Sequence, residues 1–297
     1  MLKLGRREPT NKPALMFKSI FKAMPEHPLA ENYLDELSNW QMLGNDQFGD
    51  CVAVAWANSR KFFTASLTDT EVYPTQEQVY ELYKTQNPNF PSEDEGMVIQ
   101  YMLDHIRKNG DPTGEKPIAF AKVDVNNLEE VKAAIYIFGG LILGIGVQEG
   151  NYSDYNNNMP WDYRSNQQLL GGHAVLAGGY SSDIKNNIRF ITWALETGLT
   201  DNFWKNLVQY VGGEAWVVIW KENLGTKQFV QGIDVEALAK SFTDLTGEEL
   251  PLPEPPVPPE PPIPNPGCTS IFLKPAIKLV TYLENKVNKK IRELSNL

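Results

Sequence analysis

Cysteine, histidine and positive charge are all scarce in this sequence. Its 297 residues include two cysteines and three histidines, and the formal net charge is −10. Two cysteines cannot build a disulfide framework, which favours a reducing compartment, and no cysteine–histidine spacing suits zinc. We therefore predict no metal and no cofactor. The acidic balance also argues against nucleic acid as a partner, because neutralising phosphates requires a basic surface.

Long apolar segments are absent as well. The longest, residues 135–147, is too short to span a bilayer and is interrupted by glycines. The first nine residues, MLKLGRREP, contain no apolar core of the kind found in secretory signal peptides. We therefore expect no signal peptide, no transmembrane segment and no membrane partner.

One of the two cysteines, Cys51, ends a loop and begins a helix-forming stretch. The loop reads GNDQFGDC over residues 44–51, and the apolar run VAVAWA follows it. A cysteine in this position lies at a helix N-terminus, where unpaired N–H groups and the helix dipole favour the thiolate over the thiol. Because the thiolate is the nucleophilic form, Cys51 is the predicted nucleophile.

The candidate base must be one of three histidines. His27 lies in a Pro-interrupted stretch, and His105 falls on the apolar stripe of a predicted helix, where a core histidine is the default. His173 follows two glycines and begins the strand-like run HAVLAGGY. A cysteine on a helix, followed later by a histidine on a strand, is typical of thiol-dependent acyl transfer. Taken singly, each residue is equally compatible with a purely structural role.

Together these segments resemble the papain-like cysteine peptidases. In that family a glycine-containing loop leads to the nucleophile at the start of a central helix, and a His-Ala-Val strand follows later. The resemblance covers residues 40–220, and the motifs LGNDxxGDC and GGHAV are similar to those of an uncharacterised bacterial and phage branch. It implies an α+β fold of two lobes. The Cys-bearing helix belongs to a helical lobe packed on an antiparallel sheet lobe.

The resemblance also implies roles for other residues of the site. The oxyanion-binding glutamine of the family precedes the nucleophile by six residues, where this chain has Asn45; Gln47, four residues before, is the less favoured donor. The asparagine that orients the family's histidine corresponds to Trp193, whose N–H cannot accept a hydrogen bond. Trp193 then either shields the Cys–His pair or simply packs, and the orienting acceptor is a backbone carbonyl or is missing.

The composition divides the chain into four parts. Residues 1–39 are charged and Pro-interrupted; we expect an N-terminal arm on the domain surface, with a propeptide that blocks the cleft as the alternative. Residues 40–245 form the predicted peptidase domain. Residues 246–267 form a stiff linker with ten prolines between 251 and 266. Residues 268–297 have apolar positions at three- and four-residue spacings, which predicts an amphipathic docking helix.

These features predict a papain-like cysteine peptidase, phage- or prophage-encoded, that acts on a peptide or protein substrate. Its C-terminal helix would bind a protein partner or self-associate, and the expected location is the cytoplasm or a virion. One alternative is a catalytically weak or inactive papain-fold structural or interaction protein of a virion, and a second is a cell-wall amidopeptidase. The peptidase hypothesis requires Cys51 and His173 to meet across a groove within reach of solvent.

Overall fold

The structure is a computed structural model that describes residues 2–21, 23–68, 70–183, 185 and 187–252. Most of the predicted linker and the predicted C-terminal docking helix, residues 268–297, lie outside the described residues. Within the described residues, no helix is long and apolar enough to cross a membrane.

The helix that begins at Cys51 is the longest of the described helices and is almost entirely buried. Three of its first seven residues are alanines, and these small side chains let other elements pack closely around it. The helices are α1 Cys51–Leu67, α2 Gln76–Lys84, α3 Ile99–Asn109, α4 Leu128–Phe138, α5 Glu149–Asn156, α6 Asp201–Phe203, α7 Lys227–Gly232 and α8 Val235–Thr246. A π-helical turn, Trp204–Gln209, continues α6, and 3₁₀ turns are found at Phe17–Ser19 and Lys221–Gly225.

Seven strands form one antiparallel sheet. They are β1 Glu31–Asn32, β2 Ala119–Val123, β3 Leu141–Gln148, β4 Leu169–Tyr180, β5 Ile188–Thr192, β6 Leu195–Leu199 and β7 Glu214–Ile219. Their order is β2-β7-β3-β4-β5-β6, and β1 pairs with the end of β4. The strand that carries His173 is therefore central, and His173 pairs with Ile145 of β3.

Two hydrophobic cores lie on the two faces of this sheet. Along β7, Ala215 and Val217 belong to the core that contains α4, whereas Trp216 and Val218 belong to the core that contains α1, α2 and α3. This alternation is the period-two pattern expected of a strand covered on both sides. The predicted α+β arrangement of a Cys-bearing helix on an antiparallel sheet is confirmed.

The N-terminal arm differs from the expectation of a surface segment. Leu15, Phe17 and Ile20 are fully or almost fully buried in the core that contains α4. Met16 forms a bridge with Lys122 of β2, so this part of the arm adds to the edge of the sheet. Burial of these apolar side chains explains the position: three large side chains removed from water stabilise the docked arm by several kcal/mol, at about 1.5–3 kcal/mol each.

Candidate active site

The sulfur of Cys51 lies where the first turn of α1 meets strand β4. Helix α1 begins at this residue, and the backbone N–H groups of Ala174 and Gly5 lie close enough to the thiol to lower its pKa. Ala174 is the residue after His173. The fold therefore brings the predicted nucleophile next to the strand segment that carries the predicted base. Cys51 is free and buried, with 1% of its surface exposed.

The imidazole of His173 is fixed by one hydrogen bond and one ring contact. Its Nε2 lies 2.8 Å from Oγ1 of Thr192, the last residue of β5. The indole of Trp193 lies against the ring, with 4.7 Å between the centroids. In the described structure, Nδ1 has no hydrogen-bond partner. If Nε2 carries the proton and donates a hydrogen bond to Oγ1 of Thr192, Nδ1 holds the free lone pair.

Trp193 belongs to an aromatic cluster beside His173. Tyr152 stacks on its indole at 5.4 Å, and Tyr155 and Trp161 approach it at 5.3 and 5.5 Å. The hydroxyl of Tyr155 also donates a hydrogen bond to the Trp193 carbonyl at 2.7 Å. Trp193 itself has a φ of 44° in the tight turn between β5 and β6. These contacts hold the indole against the imidazole at an interplanar angle of 30° and exclude water from that side.

The two amides that were candidates for the oxyanion site have different surroundings. Asn45 is buried, and its Nδ2 donates to the Phe48 carbonyl at 3.0 Å within the same loop. Gln47 is exposed. In the part of the chain that the structure describes, neither side-chain amide forms a hydrogen bond with Cys51. For Asn45 to bind an oxyanion, its Nδ2 would have to give up the hydrogen bond to the Phe48 carbonyl.

A short piece of the N-terminal arm, residues 4–7, lies across the site; we refer to it as the arm segment. The N–H groups of Gly5 and Arg6 donate to the Gly172 carbonyl at 3.2 and 3.0 Å, on β4. On the other side, the Met97 N–H donates to the Gly5 carbonyl and the Arg7 N–H to the Met97 carbonyl, both at 2.8 Å. The arm segment is thus held between the sheet and the residues that precede α3, with isolated bridges from Arg6 to Gly172 and to Met97.

Glycine is required where the arm segment crosses the loop before Cys51. A Cβ atom on Gly5 would lie 1.8 Å from the carbonyl oxygen of Gly49, and one on Gly172 would lie 2.4 Å from that of Arg6. The Gly49 N–H is in turn held by the Asp94 carboxylate at 2.9 Å. The backbones are therefore in direct contact, with no space for a side chain between them.

With the arm segment in place, Cys51 and His173 are both neutral. Burial raises the pKa of the Cys51 thiol to about 12, although the N–H groups of Ala174 and Gly5 oppose the shift. Burial also lowers the pKa of His173 to about 3, and the positive charge of Arg6 lowers it further. Desolvation thus outweighs the helix N-terminus, and the expected thiolate is not the stable form while the arm segment covers it. His173, like Cys51, has 1% of its surface exposed, so the covered pair is out of reach of solvent.

The other two histidines lie away from this pair. His105 is on α3, where its Nδ1 is 3.2 Å from the amide nitrogen of Asn109. His27 lies 3.4 Å from the Glu129 carboxylate and contacts the Tyr180 ring. Within the described residues, no group of three or more His, Cys, Asp or Glu side chains is arranged to hold a metal ion.

Sequence reasoning missed three residues of this site. Thr192 contacts the His173 ring, yet a threonine at a strand end has no distinguishing sequence signal. Arg6 and Glu214 form a buried ion pair beside the pair of Cys51 and His173, with 3.2 Å between Nη1 and Oε1. One signal was present: Glu214 is an acidic residue at the start of an otherwise apolar strand, which is unusual unless the carboxylate is paired.

Two solved structures with the same fold are both cysteine proteases. Xylellain, a cysteine protease from Xylella fastidiosa, matches with a TM-score of 0.55 and 17% sequence identity, over 74% of this chain and 96% of its own. Procathepsin B S9 from Trypanosoma congolense matches with a TM-score of 0.50 and 10% identity, over 73% of this chain and 85% of its own. No family model and no curated protein sequence matches the chain. The fold is therefore papain-like.

Proposed function

We propose that this protein is a cysteine peptidase whose arm segment holds it in a closed form. The observation that supports the proposal is the position of Cys51 at the start of α1, next to Ala174, the residue that follows His173. A hydrogen bond from Nε2 to Thr192 leaves Nδ1 free to accept the thiol proton. The two matching structures named above are a cysteine protease and a procathepsin.

Catalysis begins when the arm segment leaves and water enters. Hydration removes the penalty on charged groups, so the thiol proton moves from Cys51 to Nδ1 of His173 and the helix N-terminus stabilises the thiolate. The sulfur then attacks the substrate carbonyl. The imidazolium donates its proton to the leaving amine as the C–N bond breaks, and water hydrolyses the thioester to regenerate the thiol. The Cys51 N–H and the Asn45 amide are the donors we propose for the oxyanion.

Alkylation kinetics test this proposal on the full chain. The variant Gly5→Ala cannot keep the arm segment in its place, so it supplies the open form. In that form we expect iodoacetamide to modify Cys51 well below pH 8, and His173→Ala to abolish this reactivity. Hydrolysis of an unstructured protein such as casein, absent in Cys51→Ala, is the matching activity. An alkylation profile that follows a free thiol near pH 8.5 rejects the peptidase.

The second candidate is a papain-fold structural or interaction protein without turnover. The burial and neutrality of Cys51 and His173 in the closed form favour it, because such a pair is chemically inert. The two candidates differ in the open form alone. If releasing the arm segment exposes a thiol of ordinary pKa and no hydrolysis follows, the scaffold function is preferred.

We also propose that the protein is phage- or prophage-encoded and is tethered to a larger assembly, such as a virion, by residues 268–297. This rests on the LGNDxxGDC and GGHAV motifs and on the amphipathic pattern, which lies outside the described residues. Deleting residues 267–297 should release the protein from its partner, or from copies of itself, without changing Cys51 reactivity in the Gly5→Ala form. Unchanged sedimentation of the deletion variant would contradict the tether.

A further inference from the structure

The side chain of Arg6 fills a pocket whose base is a carboxylate. Nη1 of Arg6 lies 3.2 Å from Oε1 of Glu214, and both side chains are almost fully buried. The second oxygen of Glu214 accepts a hydrogen bond from Nε1 of Trp216 at 2.7 Å. The carboxylate is therefore fixed by the sheet, independently of Arg6. When the arm segment leaves, Glu214 loses its positive partner.

Glycines make room for a long side chain in this pocket. A Cβ atom on Gly144 would lie 2.6 Å from Cδ of Arg6, and one on Gly172 would lie 3.0 Å from its Nε. Gly144 pairs with Glu214 across β3 and β7. The pocket thus has a glycine wall, an acidic base and a depth that matches an arginine stem.

The pocket is one residue away from the predicted nucleophile. Gly5, whose N–H lies close enough to the Cys51 thiol to lower its pKa, is followed directly by Arg6 in the arm segment. A peptide that takes the place of the arm segment, with its backbone bonded to Gly172 and Met97, must put a side chain into this pocket. The pocket is therefore in position to select substrates.

We propose that Glu214 makes this a peptidase selective for a basic side chain, lysine or arginine, in the substrate residue that occupies the Arg6 pocket. This rests on the proposed function, with the substrate replacing the arm segment and its cation replacing that of Arg6. A neutral or acidic side chain leaves the carboxylate buried and unpaired, which is costly.

The geometry indicates that charge and length are recognised, rather than the guanidinium plane. Arg6 donates to the Glu214 carboxylate through Nη1, and in the described structure Nε of Arg6 has no hydrogen-bond partner. Bidentate recognition, in which lysine cannot replace arginine, is thus not formed. We expect both basic residues to be accepted.

Peptide binding tests the pocket without requiring turnover. The full chain carrying Gly5→Ala, Arg6→Gln and Cys51→Ala has an intact pocket and no competing cation from the arm. The probes are fluorescein-labelled heptapeptides with the sequence of residues 2–8, in which the position of Arg6 is arginine, lysine, norleucine or glutamate. Fluorescence anisotropy should show the two basic peptides binding tighter than the norleucine peptide by roughly tenfold or more, with glutamate weakest. Equal affinity of the arginine and norleucine peptides overturns the proposal, as does failure of every peptide to bind.

Changes at the base of the pocket identify the residue responsible. Glu214→Gln keeps an acceptor for Trp216 but removes the charge, so the arginine-to-norleucine ratio should approach one. The matched control is Glu130→Gln, another buried glutamate, which accepts a hydrogen bond from the Asp124 N–H away from the site; it should leave the ratio unchanged. If Glu214→Gln does not fold, as judged by near-UV circular dichroism, Glu214→Asp replaces it, and its shorter side chain should reduce the ratio. If the arginine-to-norleucine ratio is unchanged in the Glu214 variants, another residue causes the preference and the proposal is overturned.

Kinetics then separate this inference from the peptidase proposal. With Cys51 restored, amide substrates carrying one arginine at successive positions should show a higher kcat/KM at a single position, and Glu214→Gln should remove that increase. Absence of hydrolysis with a retained binding preference rejects the peptidase and keeps the pocket. Hydrolysis without a preference for basic residues keeps the peptidase proposal and rejects the proposed role of the pocket.

Discussion

Oγ1 of Thr192 lies 2.8 Å from Nε2 of His173, at the ring nitrogen opposite the one proposed to act as the base. Thr192 is the residue before Trp193, which the papain-like resemblance aligns with the orienting asparagine. The adjacent side chain thus makes the contact, while the indole of Trp193 covers the ring. The Thr192 hydroxyl can accept a hydrogen bond from the Nε2–H group, so this contact can orient the ring without an amide.

Thr192→Val tests this orienting contact. It conserves shape but removes the hydroxyl, and we expect alkylation of Cys51 in the Gly5→Ala form to slow by roughly two- to tenfold, the equivalent of about 0.5–1.5 kcal/mol. Thr192→Ser should restore most of the rate. The control is Thr197→Val, on the neighbouring strand β6 and also largely buried. Equal slowing by the two valine variants would mean that packing, and not the hydrogen bond, is responsible.

Gly5→Ala is predicted to open the site. The added Cβ would lie 1.8 Å from the Gly49 carbonyl, so the arm segment must leave its place. Alkylation of Cys51 at neutral pH should accelerate by about tenfold or more, because a buried thiol reacts only in the fraction of molecules that are open. Amide hydrogen exchange at residues 5–7 should accelerate in parallel. Gly225→Ala is the control, since a Cβ there meets nothing within 4 Å; if it opened the site equally, contact with Gly49 would not be the cause.

The ion pair of Arg6 and Glu214 should matter far more for stability than its exposed counterparts. Removing either partner leaves a buried charge, and Arg6→Gln or Glu214→Gln should lower the free energy of unfolding by roughly 3–5 kcal/mol. The double variant Arg6→Met/Glu214→Leu should recover part of the loss. Lys12→Ala, which breaks an exposed pair with Asp104, should cost less than about 1 kcal/mol. Urea denaturation measures all four, and additive losses in the two single variants would contradict the coupling.

Acid should weaken the closed form through His173. Burial lowers the pKa of this ring to about 3 from an ordinary value of 6.5, so below pH 6.5 the unfolded chain binds a proton that the folded chain does not. The stability contributed by the neutral ring is present above pH 6.5 and is lost as the pH falls toward 3. His173→Gln should reduce this dependence in urea titrations at pH 7 and pH 4.5. The matching change His105→Gln, at a half-buried helix position, should not.

The elements that sequence predicts well are those with local signals. Helix α4 begins after Asn127, whose side chain accepts from the Glu130 N–H, and ends at Gly139 in the left-handed conformation. Both are standard helix boundaries that a sequence shows directly. Strand β6 has no such signal, because its sequence, LETGL, is half polar and follows a turn in which Trp193 and Ala194 have positive φ. Neither residue is typical of such a turn.

The position of the arm segment over the site could not be predicted, because its fit depends on glycines, which have no Cβ atom. The arm segment fits through glycines at positions 5 and 172 and through backbone hydrogen bonds, none of which depends on an apolar pattern. The pairing of Arg6 with Glu214 joins residues at opposite ends of the domain, and a single sequence contains no signal for such a contact.

The arm segment forms hydrogen bonds in two directions at once, to Gly172 of the sheet and to Met97 on the helical side. It therefore acts as a splint across the groove as well as a cover. When the arm segment leaves, the sheet side and the helical side of the groove lose this connection. The width of the groove can then fluctuate more when a substrate binds. Opening should consequently be cooperative, with little population of states in which the arm segment keeps its hydrogen bonds to one side of the groove only.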